Sequence, residues 1–235
     1  MRHSSTLMIL SILLLPVLAL AVDTWEPYPK GLSGFEVFGS RANFGASEEL
    51  PRDYFLFTGP SYGLNESFHL SAFTGGILSE GFDTYDDFLS LVLFGNLYGG
   101  FTNPLKLDAW YQADVFGPWI DGTAHTVGLE LNLDGEKAGA YTRPQMTWYR
   151  GEVGLPNGHL SSLFGIYYKV CRNAEILFDV TADAEDGSLM HTSTALGLNR
   201  ILNDKLELIL EARTQEPAEG EDRVWDLTLG VVAVW

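Results

Sequence analysis

From residue 105 to 116 every second side chain is apolar: Leu105, Leu107, Ala109, Tyr111, Ala113 and Val115 alternate with Lys106, Asp108, Trp110, Gln112, Asp114 and Phe116. Successive side chains of a strand point to opposite faces, so this period of two predicts a strand with one oily and one mixed face. Four further segments repeat it, with oily stripes at Val127–Leu133, Ala174–Ala182, Leu206–Ala212 and Trp225–Trp235. No position in these five stripes is polar, whereas the interleaved set holds the charges; helical spacing does not give that pattern. Weaker alternation at about 34–45, 53–63, 68–78, 87–98, 138–150, 159–170 and 189–200 brings the expected number of strands to twelve.

Each expected strand reaches the roughly 9–11 residues that cross a bilayer at a tilt. After residue 21 no apolar run approaches the ~20 residues of a membrane helix. The connections alternate too. Residues 64–67, 99–104, 134–137, 171–173 and 201–204 read as tight turns rich in Asn, Asp and Gly; 46–52, 79–86, 117–122, 151–158, 184–188 and 215–222 read as longer loops. The longer set carries Glu48, Glu49, Glu80, Asp83, Asp86, Asp121, Glu152, Glu185, Asp186, Glu216, Glu219, Glu221 and Asp222 against Arg52 alone. Short turns at one end and longer loops at the other are the habit of outer-membrane barrels. The expected fold is therefore all-β: a single antiparallel up-and-down transmembrane β-barrel of about twelve strands over residues 34–235. The competing reading is a secreted soluble β-sandwich or binding protein, because alternation does not say which face is wet. Pro60 and Pro144 fall inside expected strands, where a missing N–H predicts bulges or strand boundaries.

The first 21 residues read as an export signal: Arg2 and His3, an apolar stretch from Leu7 to Leu15, Pro16, then Ala19-Leu20-Ala21 as cleavage site. Residues 22–33, with Trp25, Pro27 and Pro29, read as an extended N-terminal segment. The 235 residues are 46% apolar and 19% charged, which excludes a disordered tail. Thirty-one acids against 14 bases give a net charge of −17, so nucleic acid is not an expected partner. Cys171 is the only cysteine, which leaves no intrachain disulfide or cysteine cluster to hold the fold; no metal site or cofactor is expected.

The last segment closes on Trp235, with Trp225, Gly230 and Ala233 in step before it, and resembles the C-terminal targeting signal of outer-membrane barrels that the barrel assembly machinery recognises; Leu229 stands where that signal often has a polar residue. Tyr62-Gly63-Leu64-Asn65-Glu66-Ser67-Phe68-His69-Leu70 and residues 197–208, Gly-Leu-Asn-Arg-Ile-Leu-Asn-Asp-Lys-Leu-Glu-Leu, resemble the strand, polar turn, strand repeats of an outer-membrane transporter family associated with phenol meta-degradation operons. That resemblance covers about a third of the chain. It implies passage of small aromatic or apolar solutes and supplies no site motif.

If the oily stripe faces lipid, the interior receives Lys106, Asp108, Trp110, Asp114, Glu130, Arg143, Lys169, Glu175, Asp179, Asp183, His191, Glu207, Glu211, Arg213 and Asp226. These pore-lining candidates hold nine acids and four Lys or Arg, so the bore is expected to be net acidic, narrow at twelve strands, and partly filled by Trp110, Phe116, Tyr141, Tyr149 and Tyr167. The expected function is an outer-membrane pore or transporter for small solutes, reached by export into a two-membrane envelope; an ion-paired interior that only supports the wall is the alternative. Expected partners are outer-membrane lipid and lipopolysaccharide, the assembly machinery and the solutes; the acidic loops read first as ordinary solvated loops and, more sharply, as carboxylates that divalent cations bridge to lipopolysaccharide phosphates. His191 and Ser193 share one strand face as a nucleophile and base would in a barrel lipid hydrolase, but no carboxylate or amide is visibly placed to orient the imidazole, so no enzyme is expected.

Overall fold

The computed structural model describes residues 30–44, 54–78, 85–100, 103–117, 122–151, 158–185, 188–203, 205–215 and 225–235. They form twelve strands: β1 (Ser33–Phe44), β2 (Tyr54–Gly63), β3 (Phe68–Leu78), β4 (Tyr85–Tyr98), β5 (Leu105–Gly117), β6 (Gly122–Leu133), β7 (Ala138–Gly151), β8 (His159–Cys171), β9 (Ala174–Glu185), β10 (Ser188–Asn203), β11 (Leu206–Gln215) and β12 (Trp225–Val234). Each pairs antiparallel with its sequence neighbours, and β1 pairs with β12, so the sheet closes into a barrel. Closure removes the free edges that a two-sheet sandwich would leave, which sets the sandwich reading aside. The seam is tight at the chain's end: Ser33 and Trp235 exchange backbone hydrogen bonds of 2.8 and 2.9 Å.

The faces fall as the alternation requires. On β6, Thr126, Glu130 and Asn132 are buried while Val127, Leu129, Leu131 and Leu133 are exposed. Outside, Tyr54, Trp148 and Trp225 stand toward one end, and Tyr62, Tyr98, Tyr168 and Trp235 toward the other. Between them the outer surface is apolar, with Leu91, Leu129, Phe178, Leu196 and Leu229 among its exposed side chains.

The tight turns are built by asparagine. The Asn65 carboxamide oxygen accepts from the backbone N–H groups of Ser67 and Phe68 at 2.8 and 3.0 Å, and Asn103 and Asn203 close their own turns by accepting from Leu105 at 3.0 Å and Lys205 at 2.9 Å. Gly99, at φ 98°, supplies the left-handed conformation that turns β4 toward β5.

Three expectations need correction. Pro60 and Pro144 lie within β2 and β7 without a bulge or a strand end. Pro60 stays in register with Phe35 and Pro144 with Ser162; only the opposite ladders lapse, between Thr58 and Ser61 toward β3 and between Thr142 and Gln145 toward β6. A strand residue's N–H serves one neighbour, so its loss opens one ladder locally and leaves the other intact. The loop expected at 184–188 shrinks to residues 186 and 187, because Ser188 pairs with Glu185; beyond the oily stripe a strand can continue on polar residues. Strand β6 likewise starts at Gly122, ahead of its apolar stripe, and β10 runs on to Asn203 through a register shift. The export signal and residues 22–29 lie outside the described residues.

Candidate functional site: the barrel interior

The inward-facing side chains of β5–β11 carry most of the interior charge, with Leu163, Leu177 and Ile209 buried among them. Lys106, Asp108, Trp110, Asp114, Glu130, Arg143, Asp179, Asp183, Glu211 and Arg213 are all buried, none more than 8% exposed. Glu175, Glu207 and Asp226 are half-buried near strand ends, and so is Lys169. His191 pairs with Asp183 just beyond a register shift in β10, and its side chain lies outside the described set, as does that of Phe116. Trp225 and Trp235 are exposed on the outer face, Gly230 faces inward, and Ala233 is half-buried outside.

Register brings these residues into rows. One row crosses β12 to β5 as Asp226, Arg213, Ala195, Asp179, Gly165, Tyr141, Asn132 and Lys106. A parallel row holds Ser193, Thr181, Leu163, Arg143, Glu130, Asp108 and Asn96, with the Arg143–Glu130 ion pair linking β7 to β6. Strands of a barrel are tilted, so each row winds from the loop end of β11 and β10 down to the turn end of β5 and β4.

Hydrogen bonds join the rows into one ribbon. Arg213 donates from Nε to Glu211 Oε1 at 2.9 Å and from Nη1 to Thr181 Oγ1 at 3.1 Å and Ser193 Oγ at 2.9 Å, while its Nη2 stands 4.0 Å from Asp179 Oδ2. The Tyr141 hydroxyl donates to Asp179 Oδ1, and the Arg143 guanidinium lies over the Tyr141 ring at 5.0 Å and donates from Nε to Glu130 Oε2. At the turn end Asn96 donates to Asp108 at 2.7 Å. Charges buried this deeply persist only when paired or hydrogen-bonded, which explains why acids and bases interleave. Ser193, which the hydrolase reading would make a nucleophile, instead accepts from Arg213.

Glycine makes room for the rings in this layer. Gly128 stands opposite Trp110, Gly165 opposite Tyr141, Gly139 opposite Tyr167 and Gly230 opposite Phe38. A Cβ on any of the four would overlap the facing ring, so the aromatic groups lie flat along the wall.

On β1–β4 the interior is mainly aromatic. On β1–β3, Phe38 stacks on Phe57 at 4.8 Å between centroids, and Phe73 meets Phe57 edge-on at 5.9 Å; on β3 and β4, His69 stacks on Phe94 at 5.1 Å. Among the described side chains, Glu36 is the one inward carboxylate of β1–β4, accepting from Ser61 Oγ at 2.8 Å. Sequence reasoning missed this aromatic wall. Alternation in 53–63 and 68–78 is blurred because both faces carry rings: Tyr54 and Tyr62 face out beside inward Phe55 and Phe57, and Phe68 faces out beside inward His69 and Phe73. Strand pairing, not periodicity, sorts them.

At the two mouths the carboxylates are held differently. Toward the loop end Gln112 Nε2 donates to both Asp114 oxygens at 2.9 and 3.0 Å, and His159 Nε2 is 3.2 Å from Asp183 Oδ1. At the turn end Lys169 Nζ lies 2.6 Å from Asp134 Oδ1, which also accepts from the Tyr167 hydroxyl at 2.7 Å. Partial burial disfavours the Asp134 carboxylate, but the donors and charge of Lys169, with Tyr167 and Lys106, outweigh it and hold its pKa below the ordinary value.

No family model matches the chain, and no curated protein matches it in sequence. Solved structures match in shape. The KdgM porin superposes with a TM-score of 0.61 at 9% identity, covering 84% of this chain and 98% of that one. The NanC porin gives 0.57 at 10% identity over 85% of this chain and 98% of its own. The transport unit of the autotransporter AIDA-I from Escherichia coli gives 0.56 at 12% identity over 97% and 98%. The fold is the one these outer-membrane barrels share.

Proposed function

We propose that this chain is an outer-membrane barrel that passes small solutes along a narrow, net acidic and partly aromatic bore, preferring cations to large anions. The observation that carries this reading is the placement of the faces: large apolar side chains cover the outside, while the buried charged side chains of the strands lie inside. A water-soluble protein does not expose an apolar belt around its whole girth, and a closed barrel is the one sheet that satisfies its backbone in lipid. Tyr54, Trp148 and Trp225 at one end and Tyr62, Tyr98, Tyr168 and Trp235 at the other form the interfacial girdles of that arrangement. The comparison with porins supports a pore in general.

The sign of selectivity comes from the interior residues. Asp108, Asp114, Glu130, Glu175, Asp179, Asp183, Glu207, Glu211 and Asp226 outnumber Lys106, Arg143, Lys169 and Arg213. One KdgM structure is described as a complex with disordered oligogalacturonate, an acidic sugar chain; the excess of carboxylates here disfavours such a polyanion. Trp225, Gly230, Ala233 and Trp235 serve targeting to the assembly machinery, and the acidic loops meet lipopolysaccharide through divalent cations.

One observation favours a second reading, a sealed barrel whose interior supports the wall: Phe94, Tyr141, Leu177 and Ile209 are no more than 1% exposed. Planar-bilayer recordings of the refolded protein in a KCl gradient separate the two. A discrete conductance whose reversal potential favours K⁺ is the expected result. Absence of conductance selects the sealed barrel, and anion selectivity overturns the acidic bore.

A further inference from the structure

One side of the interior is a wall of rings and carboxylates stand across from it, a pairing that specifies a ligand. Phe38, Phe57 and Phe73 form a contiguous ring cluster on β1–β3. Strand β9 lies six places from β3 around the twelve-stranded barrel, which is diametrically opposite, and it carries Asp183 near its loop end. Asp114 occupies the corresponding end of β5. Around these groups interior side chains keep a little surface: Phe38 is 7% exposed, and Phe57, Gln112, Tyr149 and Asp183 are each 8% exposed.

Resting on the pore reading, we infer that the loop-side half of the bore is a binding site for small organic ammonium ions: the apolar body lies on the Phe38–Phe57–Phe73 wall and the ammonium group faces Asp114 and Asp183. Three physical requirements meet in that class. A ring wall rewards an apolar surface and the negative face of each ring attracts a cation. Carboxylates attract the ammonium group and repel a carboxylate of equal size. The narrow bore of twelve strands limits the solute to about one ring. A neutral sugar would leave the carboxylates without a charged partner, and an inorganic cation would gain nothing from the phenylalanines.

The test is calorimetric titration of the detergent-folded full barrel with benzylammonium, methylammonium and benzoate, paired with benzylammonium block of K⁺ current in planar bilayers. Benzylammonium should bind at least tenfold more tightly than either comparison ion and should block from the loop side. In Phe57→Ala that preference over methylammonium should fall to within about threefold, while K⁺ over Cl⁻ selectivity stays. In Asp114→Asn/Asp183→Asn the discrimination against benzoate should fall at least fivefold, with the phenylalanine wall intact. Equal binding of benzylammonium and methylammonium, or an unchanged preference in folded Phe57→Ala, overturns the inference and leaves the pore standing. Calorimetric preference without conductance would retain the site and reject transport; loss of both rejects site and pore together.

Discussion

Arg143 and Glu130 allow the burial of the ribbon to be measured as a free energy. Their side chains are 3% and 1% exposed and they form an ion pair across β7 and β6. In Arg143→Met the Glu130 carboxylate stays in place without the Arg143 charge. Breaking a buried pair in this way costs about 3–5 kcal/mol, whereas a solvated pair is worth about 0–1 kcal/mol. For a urea m-value of about 2 kcal/mol/M, a loss of about 4 kcal/mol moves the midpoint down by roughly 2 M. Glu130→Leu/Arg143→Met removes both charges and should recover most of that loss, because an apolar pair of similar volume is often neutral or better. The assay is equilibrium unfolding in urea of protein refolded into lipid, followed by tryptophan fluorescence and by mobility on unheated gels. A single variant within about 1 kcal/mol of the parent, or a double variant as damaged as the single, would refute the claim that this part of the ribbon is secluded from water.

Three other outcomes follow. Gly165→Val should destabilise by about 1–3 kcal/mol, since the Tyr141 ring and Asp179 occupy the space a side chain would take; a neutral effect in the same unfolding assay would remove the packing argument. Pro60→Ala restores an N–H toward β3 at a site already in register, so stability should change by less than about 1 kcal/mol or rise; a loss above about 2 kcal/mol would mean that the proline sets the register. Because the Asp134 carboxyl is held below its ordinary pKa, its stabilising share is complete above the unfolded value near 4 and is lost as pH falls through the folded value. Asp134→Asn should therefore narrow the difference in urea midpoint between pH 5 and pH 3; an unchanged difference would show that the Lys169 contact contributes nothing to stability.

The wall was legible because its periodicity is enforced by burial on opposite sides. Residues 105–115 and 126–133 place the apolar stripe outside and every charged side chain inside, and a one-residue slip would reverse them. Trp110, Tyr141, Tyr149 and Tyr167 were legible for the same reason, each falling on the mixed stripe. Strand ends were less so. Beyond the apolar belt the pattern carries no constraint, so β6 began earlier and β9 and β10 closed to a two-residue connection at 186 and 187. Neither the glycine–ring pairs nor the division of the interior can be read along one strand. Gly165 under Tyr141 is a cross-strand fact, and so is the stacking of Phe38 on Phe57. Pro60 and Pro144 need no bulge because each lacks an N–H toward one neighbour only, which a single strand's sequence does not show.

The orientation of the two faces is tested most directly by spin-label accessibility along β6. In a Cys171→Ser background, single cysteines at 125–133 would carry the label, and relaxation by lipid-soluble oxygen would be compared with relaxation by a water-soluble nickel chelate after reconstitution in vesicles. Oxygen accessibility should peak at Val127, Leu129 and Leu131 and fall at Thr126, Gly128 and Glu130, with the chelate excluded from the first set. Chelate access to Val127, Leu129 and Leu131 would place the oily stripe in water and contradict the account.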